Sequence, residues 1–135
     1  MVDARDAAPG VYSALYIDAP GRPASDQRNL ENVLSIIKKV PLPERTARFL
    51  CYMAACTPAG EHRVAEGAWD GLLAFEPAGH NGFGYDPVFF DPEKQCTAAQ
   101  MDAREKNSRS HRAKAVAALL KEWPAFWQKW ILKGF

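Results

Sequence analysis

Residues 82–87 read GFGYDP, and the rest of the chain is best understood outward from them. Gly82 and Gly84 flank an aromatic ring. Glycine takes positive φ readily and lets a ligand approach the backbone. Phe83 and Tyr85 offer flat faces, and stacking a base on such a face contributes about 1–3 kcal/mol. Asp86 only accepts hydrogen bonds, while Lys106 and Arg112 downstream only donate, and His111 adds an imidazole beside Arg112. That set suits a heterocycle carrying phosphates. On composition alone, a glycine-aromatic-glycine run is more often a turn, and Asp before Pro readily bonds nearby backbone N–H groups.

The flanking sequence predicts a mixed α/β chain. Residues 48–56 and 64–75 read as two strands of a ribbon, turned through TPAGEH, where Pro58 and Gly60 fit the bend. Residues 87–90 read as a short buried strand. Ser25 is placed to cap a helix whose Leu30, Val33, Leu34 and Ile37 share one face, and Pro41 and Pro43 end it. Thr97 and Gln100 form a capping box for a helix over 98–105. A last helix is expected over 110–122, with Val116, Leu119, Leu120 and Trp123 inward and Pro124 as an interruption. Beyond it, Phe126, Trp127, Trp130 and Ile131 fall on one further helical face. Residues 1–24, rich in Ala, Pro, Gly and Asp, read as loop or extended chain.

Bulk properties narrow the function classes. The 135 residues suit one domain, with 47% apolar and 24% charged residues, as in an ordinary soluble protein. A net charge of +1 argues against a nucleic-acid surface. The longest apolar run, 49–56, is far short of the ~20 residues of a membrane span, and MVDARDAAPG lacks the apolar segment of a signal peptide. Three cysteines, Cys51, Cys56 and Cys96, match no zinc spacing and fit free thiols in a reducing cytoplasm. His62 and His80 have no second ligand at metal spacing, and Asp3, Asp6 and Asp18 have no partner carboxylate. The run from Gly79 to Gly84 lacks the Lys-Ser/Thr of a phosphate loop.

Six stretches, in order, resemble the inosine triphosphate pyrophosphatase family: PGVYSA at 9–14, DQRNL at 26–30, ARFLC at 47–51, EPAGHNGFGYDPVFF at 76–90, TAAQM at 97–101 and EKNSRSHRAKA at 105–115. The resemblance implies an α/β fold with a curved mixed or antiparallel sheet flanked by helices. It covers what looks like roughly the C-terminal two-thirds of a member, residues 1–122, with 123–135 as an aromatic extension. The implied activity is hydrolysis of non-standard purine nucleoside triphosphates (ITP, dITP, XTP) to monophosphate and pyrophosphate. Phe83, Gly84, Tyr85, Asp86, Lys106, His111 and Arg112 would bind the nucleotide. Members of that family use Mg2+, and the loop and carboxylates that supply its ligands have no counterpart in these residues. Purine recognition without catalysis is therefore expected of the chain alone.

Two departures from the family pattern stand out. Ala113 follows SHR where a Gly is common, and Leu15 stands where many members carry Arg. A self-associating chain, closed as a homodimer through the aromatic tail, is the competing expectation.

Overall fold

The structure, a computed structural model, describes residues 1–16 and 25–132. Asp18 and Lys133 lie outside the described residues. A four-stranded sheet in the order β1-β2-β3-β4 carries the fold: β1 is Thr46–Cys56, β2 His62–Leu73, β3 Phe89–Asp91 and β4 Cys96–Thr97. β2 pairs with β3 antiparallel (Leu72 opposite Phe90), and β3 with β4 antiparallel (Phe90 opposite Thr97). Among the described residues, three α-helices accompany it: α1 Asp26–Ile36, α2 Ala103–Arg109 and α3 His111–Leu132. The α/β class expected from the sequence is the class observed, and the hairpin of β1 and β2 turns where Pro58 and Gly60 lie.

The described chain divides into two compact units. The first comprises Met1–Arg48 and Asp70–Lys106, the second Phe49–Trp69 and Asn107–Phe135. In the first, α1 starts where Ser25 Oγ accepts the Arg28 N–H at 3.3 Å. It buries Leu30 and Val33, with Ile37 closing its last turn, while Leu34 is half-buried. Val88, Phe89, Ala98, Ala99 and Met101 complete this core. Arg45 is buried there too. Its guanidinium donates to the Ala74 and Ile37 carbonyls and lies over the Phe75 ring. Residues expected as featureless chain near the start form short 3-10 turns at Asp3–Arg5 and Gly10–Leu15.

The capping box of Thr97 and Gln100 is present, but it opens a 3-10 turn, Ala98–Gln100, and not the helix expected over 98–105. Met101 is extended, and the Asn81 side chain donates to its carbonyl at 3.0 Å. Asp102 Oδ1 then accepts the Glu105 N–H at 2.8 Å, which restarts the chain as α2.

In the second unit, Trp69 is buried and tilted against Phe49. α3 corrects two expectations. Pro124 does not interrupt it: the helix runs on to Leu132. Proline deprives the carbonyl of residue i−4 of its donor, and here that residue is the exposed Leu120. Rings stack across the proline as well, with Trp123 and Trp127 5.8 Å apart at 16°. The inward face is also rotated. Ala115 and Phe126 are buried, while Val116, Leu120 and Trp123 are exposed. Gly67 on β2 explains this. A Cβ there would meet the His111 carbonyl oxygen at 1.9 Å and the Ala115 nitrogen at 2.4 Å. Backbone this close admits only small side chains, so the alanine turns inward and the valine outward.

Candidate functional site

The GFGYDP stretch lies in the first unit, between β2 and β3. Gly82 and Gly84 both hold positive φ, at +76° and +61°. A Cβ on Gly82 would sit 1.9 Å from Asp86 Oδ2, so the carboxylate needs a bare backbone there. Asp86 is 4% exposed. Its Oδ2 accepts the Phe83 N–H at 2.9 Å and also takes the ammonium of Lys106, which α2 presents. The next amide is held from another direction: Asp26 Oδ2, in the first turn of α1, accepts the Gly84 N–H at 2.9 Å.

These contacts decide between two uses of a glycine-rich run. Successive free N–H groups would make an anion cradle. Here both successive amides are committed to carboxylates, so the run holds a ring and does not cradle a phosphate. The ring it holds is Phe83, 56% exposed and with the Lys106 ammonium 4.9 Å from its centroid. An exposed phenyl ring on an immobilised turn offers a face on which a flat base could stack. Beside it opens a groove of about 580 Å³, lined by Asp26, Leu30, Pro77, His80, Asn81 and Phe83 among others. That volume falls in the range of small-molecule sites.

Tyr85 is half-buried, and its hydroxyl donates to the Ser13 carbonyl at 2.8 Å. Burial, helped by the nearby Tyr16 and Asp26, pushes its pKa up to about 12. It therefore stays a neutral donor that ties the Gly10–Leu15 turn to the site. Asn29 fastens the same turn, donating to the Ala14 carbonyl at 2.8 Å.

His111 and Arg112 belong to the second unit, in the first turn of α3. Ser110 Oγ accepts the Ala113 N–H at 3.2 Å and so caps that helix. The His111 ring stacks on Phe49, with centroids 4.9 Å apart and planes at 21°. Arg112 is exposed. Among the described residues, the non-glycine residues at positive φ are Asp6, Ala7 and Gln95. Ala113 is not among them, so its departure from the family's Gly carries no backbone strain.

Thus the fold gathers Phe83, Gly84, Tyr85, Asp86 and Lys106 in the first unit, and places His111 and Arg112 at a helix start in the second. Asp26, His80 and Asn81 also line the groove beside Phe83, and the sequence assigned none of them a binding role. For Asp26 a signal existed, because an acid directly after the Ser25 cap has its carboxylate at the head of α1. Among the described residues, no group of three or more His, Cys, Asp or Glu is placed to hold a metal ion. The two carboxylates nearest the platform are committed to Phe83, Gly84 and Lys106. These residues do not fit Mg2+.

The sequence pattern of the Ham1 family matches residues 1–122. A dITP/XTP pyrophosphatase of Nitratidesulfovibrio vulgaris is 54% identical over 130 residues, covering 94% of this chain and 63% of the relative. One from Shouchella clausii is 46% identical over 129 residues, covering 96% of this chain and 64% of the relative. Among solved structures, the Ham1 protein of Staphylococcus aureus superposes with a TM-score of 0.84 at 34% identity, covering 92% of this chain and 62% of that one. A Coxiella burnetii HAM1 protein gives 0.83 at 35% identity, over 93% and 63%. The chain spans a little under two thirds of the length of each.

Proposed function

Because the chain belongs to the Ham1 family, we propose that it recognises the non-standard purine of nucleotides such as dITP, ITP and XTP. Pyrophosphate release from those triphosphates is the reaction this recognition serves. The observation that carries the proposal is the exposed Phe83 ring, fixed by two carboxylates beside a groove of ligand size. A purine stacks on that ring. His111 and Arg112 are proposed as donors to the 6-oxo oxygen, a role supported by their chemistry and by the resemblance of the SHR stretch. Adenine presents a donor at that position, and each N–H left buried and unpaired against it costs about 1–3 kcal/mol. Residues 1–122, the extent of the family match, are proposed as the pyrophosphatase-like domain and 123–135 as an extension carried on α3. Cys51, Cys56 and Cys96 are thiols outside any disulfide, which supports a cytoplasmic setting. Among the described residues, no helix is long and apolar enough to cross a membrane.

Calorimetric titration with inosine triphosphate and, separately, adenosine triphosphate tests the proposal. Inosine triphosphate is expected to bind about five- to 150-fold more tightly, the range that one unpaired donor produces at about 1–3 kcal/mol. Equal affinities, or no heat from either, contradict it.

A second reading, self-association, is favoured by one observation. Val116, Leu120, Trp123, Trp127 and Ile131 are all exposed along α3 at helical spacing. Two copies meeting along that stripe as a homodimer would bury it. Light scattering of the full chain distinguishes the dimer from a monomer.

A further inference from the structure

The sequence presents Asp86 and Lys106 as two separate polar contacts to a nucleotide. The geometry points to a different division of labour. We infer that Asp86 is a positioning residue of the purine platform, acting through Lys106 and the Phe83 amide and not on the ligand. This rests on the proposed purine reading and deepens it.

Three observations converge. Asp86 is 4% exposed, so its carboxylate has almost no surface to offer a ligand. One oxygen, Oδ2, takes both the Phe83 N–H and the Lys106 ammonium, and it lies where a Cβ on Gly82 would stand. Lys106 in turn reaches the Phe83 ring, 4.9 Å from its centroid. One carboxylate therefore fixes the backbone that bears the ring and the cation that packs on it. The Lys106 side chain is itself only 17% exposed. The ammonium is committed to the buried Asp86 carboxylate and packs on the Phe83 ring, so Lys106 serves the ring before it serves a phosphate. Both side chains are then supports for the stacking face.

A double-mutant cycle on the full chain decides the matter, with inosine triphosphate as the probe and calorimetry as the readout. Asp86→Asn keeps an acceptor for the Phe83 amide and removes the charge that holds Lys106. Asp86→Asn and Lys106→Met are each expected to weaken binding about tenfold, and the double variant no more than Lys106→Met alone, because the two act as a unit. Losses that multiply in the double variant mean that each side chain meets the ligand independently, and overturn the inference. So does unchanged binding in Asp86→Asn. Circular dichroism of all four proteins confirms that they are folded at the titration temperature.

A second measurement needs no nucleotide. Hydrogen exchange at the Phe83 amide is expected to be at least about tenfold faster in Asp86→Ala than in the wild type. Equal exchange overturns the clamp. If the wild type binds no nucleotide at all, the purine reading fails, and the exchange rate still decides whether Asp86 holds the turn.

Discussion

The Asp26 carboxylate accepts the Gly84 N–H at 2.9 Å across 58 residues of sequence. The first turn of α1 thereby reaches the loop that bears Phe83. Together with the bond from the Phe83 N–H to Asp86, it leaves the loop little freedom to reorient the ring.

Breaking that link has a defined effect. Asp26→Ala is expected to lower stability by about 1 kcal/mol, the net worth of one part-exposed hydrogen bond. It should also weaken inosine triphosphate binding, because the ring loses one of its two anchors. Asp26→Asn, which retains an acceptor, should recover most of both. Thermal unfolding and calorimetry of the two variants supply the comparison.

The Asp86–Lys106 pair predicts a reversal in stability. Lys106→Met leaves an almost fully buried carboxylate without its cation, which costs about 3 kcal/mol. Adding Asp86→Asn removes the stranded charge, so the double variant should be more stable than Lys106→Met alone. Urea unfolding of the three proteins measures this. A double variant less stable than Lys106→Met would mean that the pair carries little charge coupling.

Gly67 is the tightest approach in the second unit. Gly67→Ala sets a Cβ 1.9 Å from the His111 carbonyl oxygen, backbone that cannot swing aside. About 3 kcal/mol of destabilisation is expected. The first turn of α3, including the stack of His111 on Phe49, should loosen, visible as faster amide exchange over 111–115.

Tyr85 gives the chain an alkaline limit. Its folded pKa of about 12 lies above the unfolded value of 10.0, because burial disfavours the phenolate. Between those values the unfolded chain releases a proton that the folded chain keeps. The stabilisation is thus fully present below pH 10 and is lost as pH rises towards 12. Tyr85→Phe should flatten the stability profile over that interval, at the expense of the hydrogen bond to the Ser13 carbonyl. Equal slopes in the two proteins would show that Tyr85 does not titrate there.

What could be read from the sequence follows the range of the interactions involved. The β1–β2 hairpin, the Ser25 cap and the capping box of Thr97 and Gln100 were legible, because each rests on residues close together in the chain. The flanking glycines marked Phe83 as a candidate, and its ring is 56% exposed on a turn that two carboxylates hold. The Asp26–Gly84 bond was not legible, since nothing local marks two groups 58 residues apart as partners. The burial of Asp86 was not legible, because a carboxylate in a motif does not disclose whether it faces a ligand or the backbone around it. On α3, periodicity placed Val116 and Leu120 inward. The bare backbone of Gly67 overrides that pattern by drawing Ala115 against β2. Proline's rule for helix interiors failed at Pro124, where the carbonyl left without a donor is on exposed Leu120 and the tryptophan rings stack across the gap.

We propose that the exposed Phe83 ring, on its immobilised turn, reads a purine. Titration of wild type and Phe83→Ala with inosine triphosphate tests it most directly. With the ring 56% exposed, its removal should leave the thermal midpoint nearly unchanged. Binding should weaken about five- to 150-fold, since stacking supplies about 1–3 kcal/mol. Identical affinity in the two proteins would contradict the account.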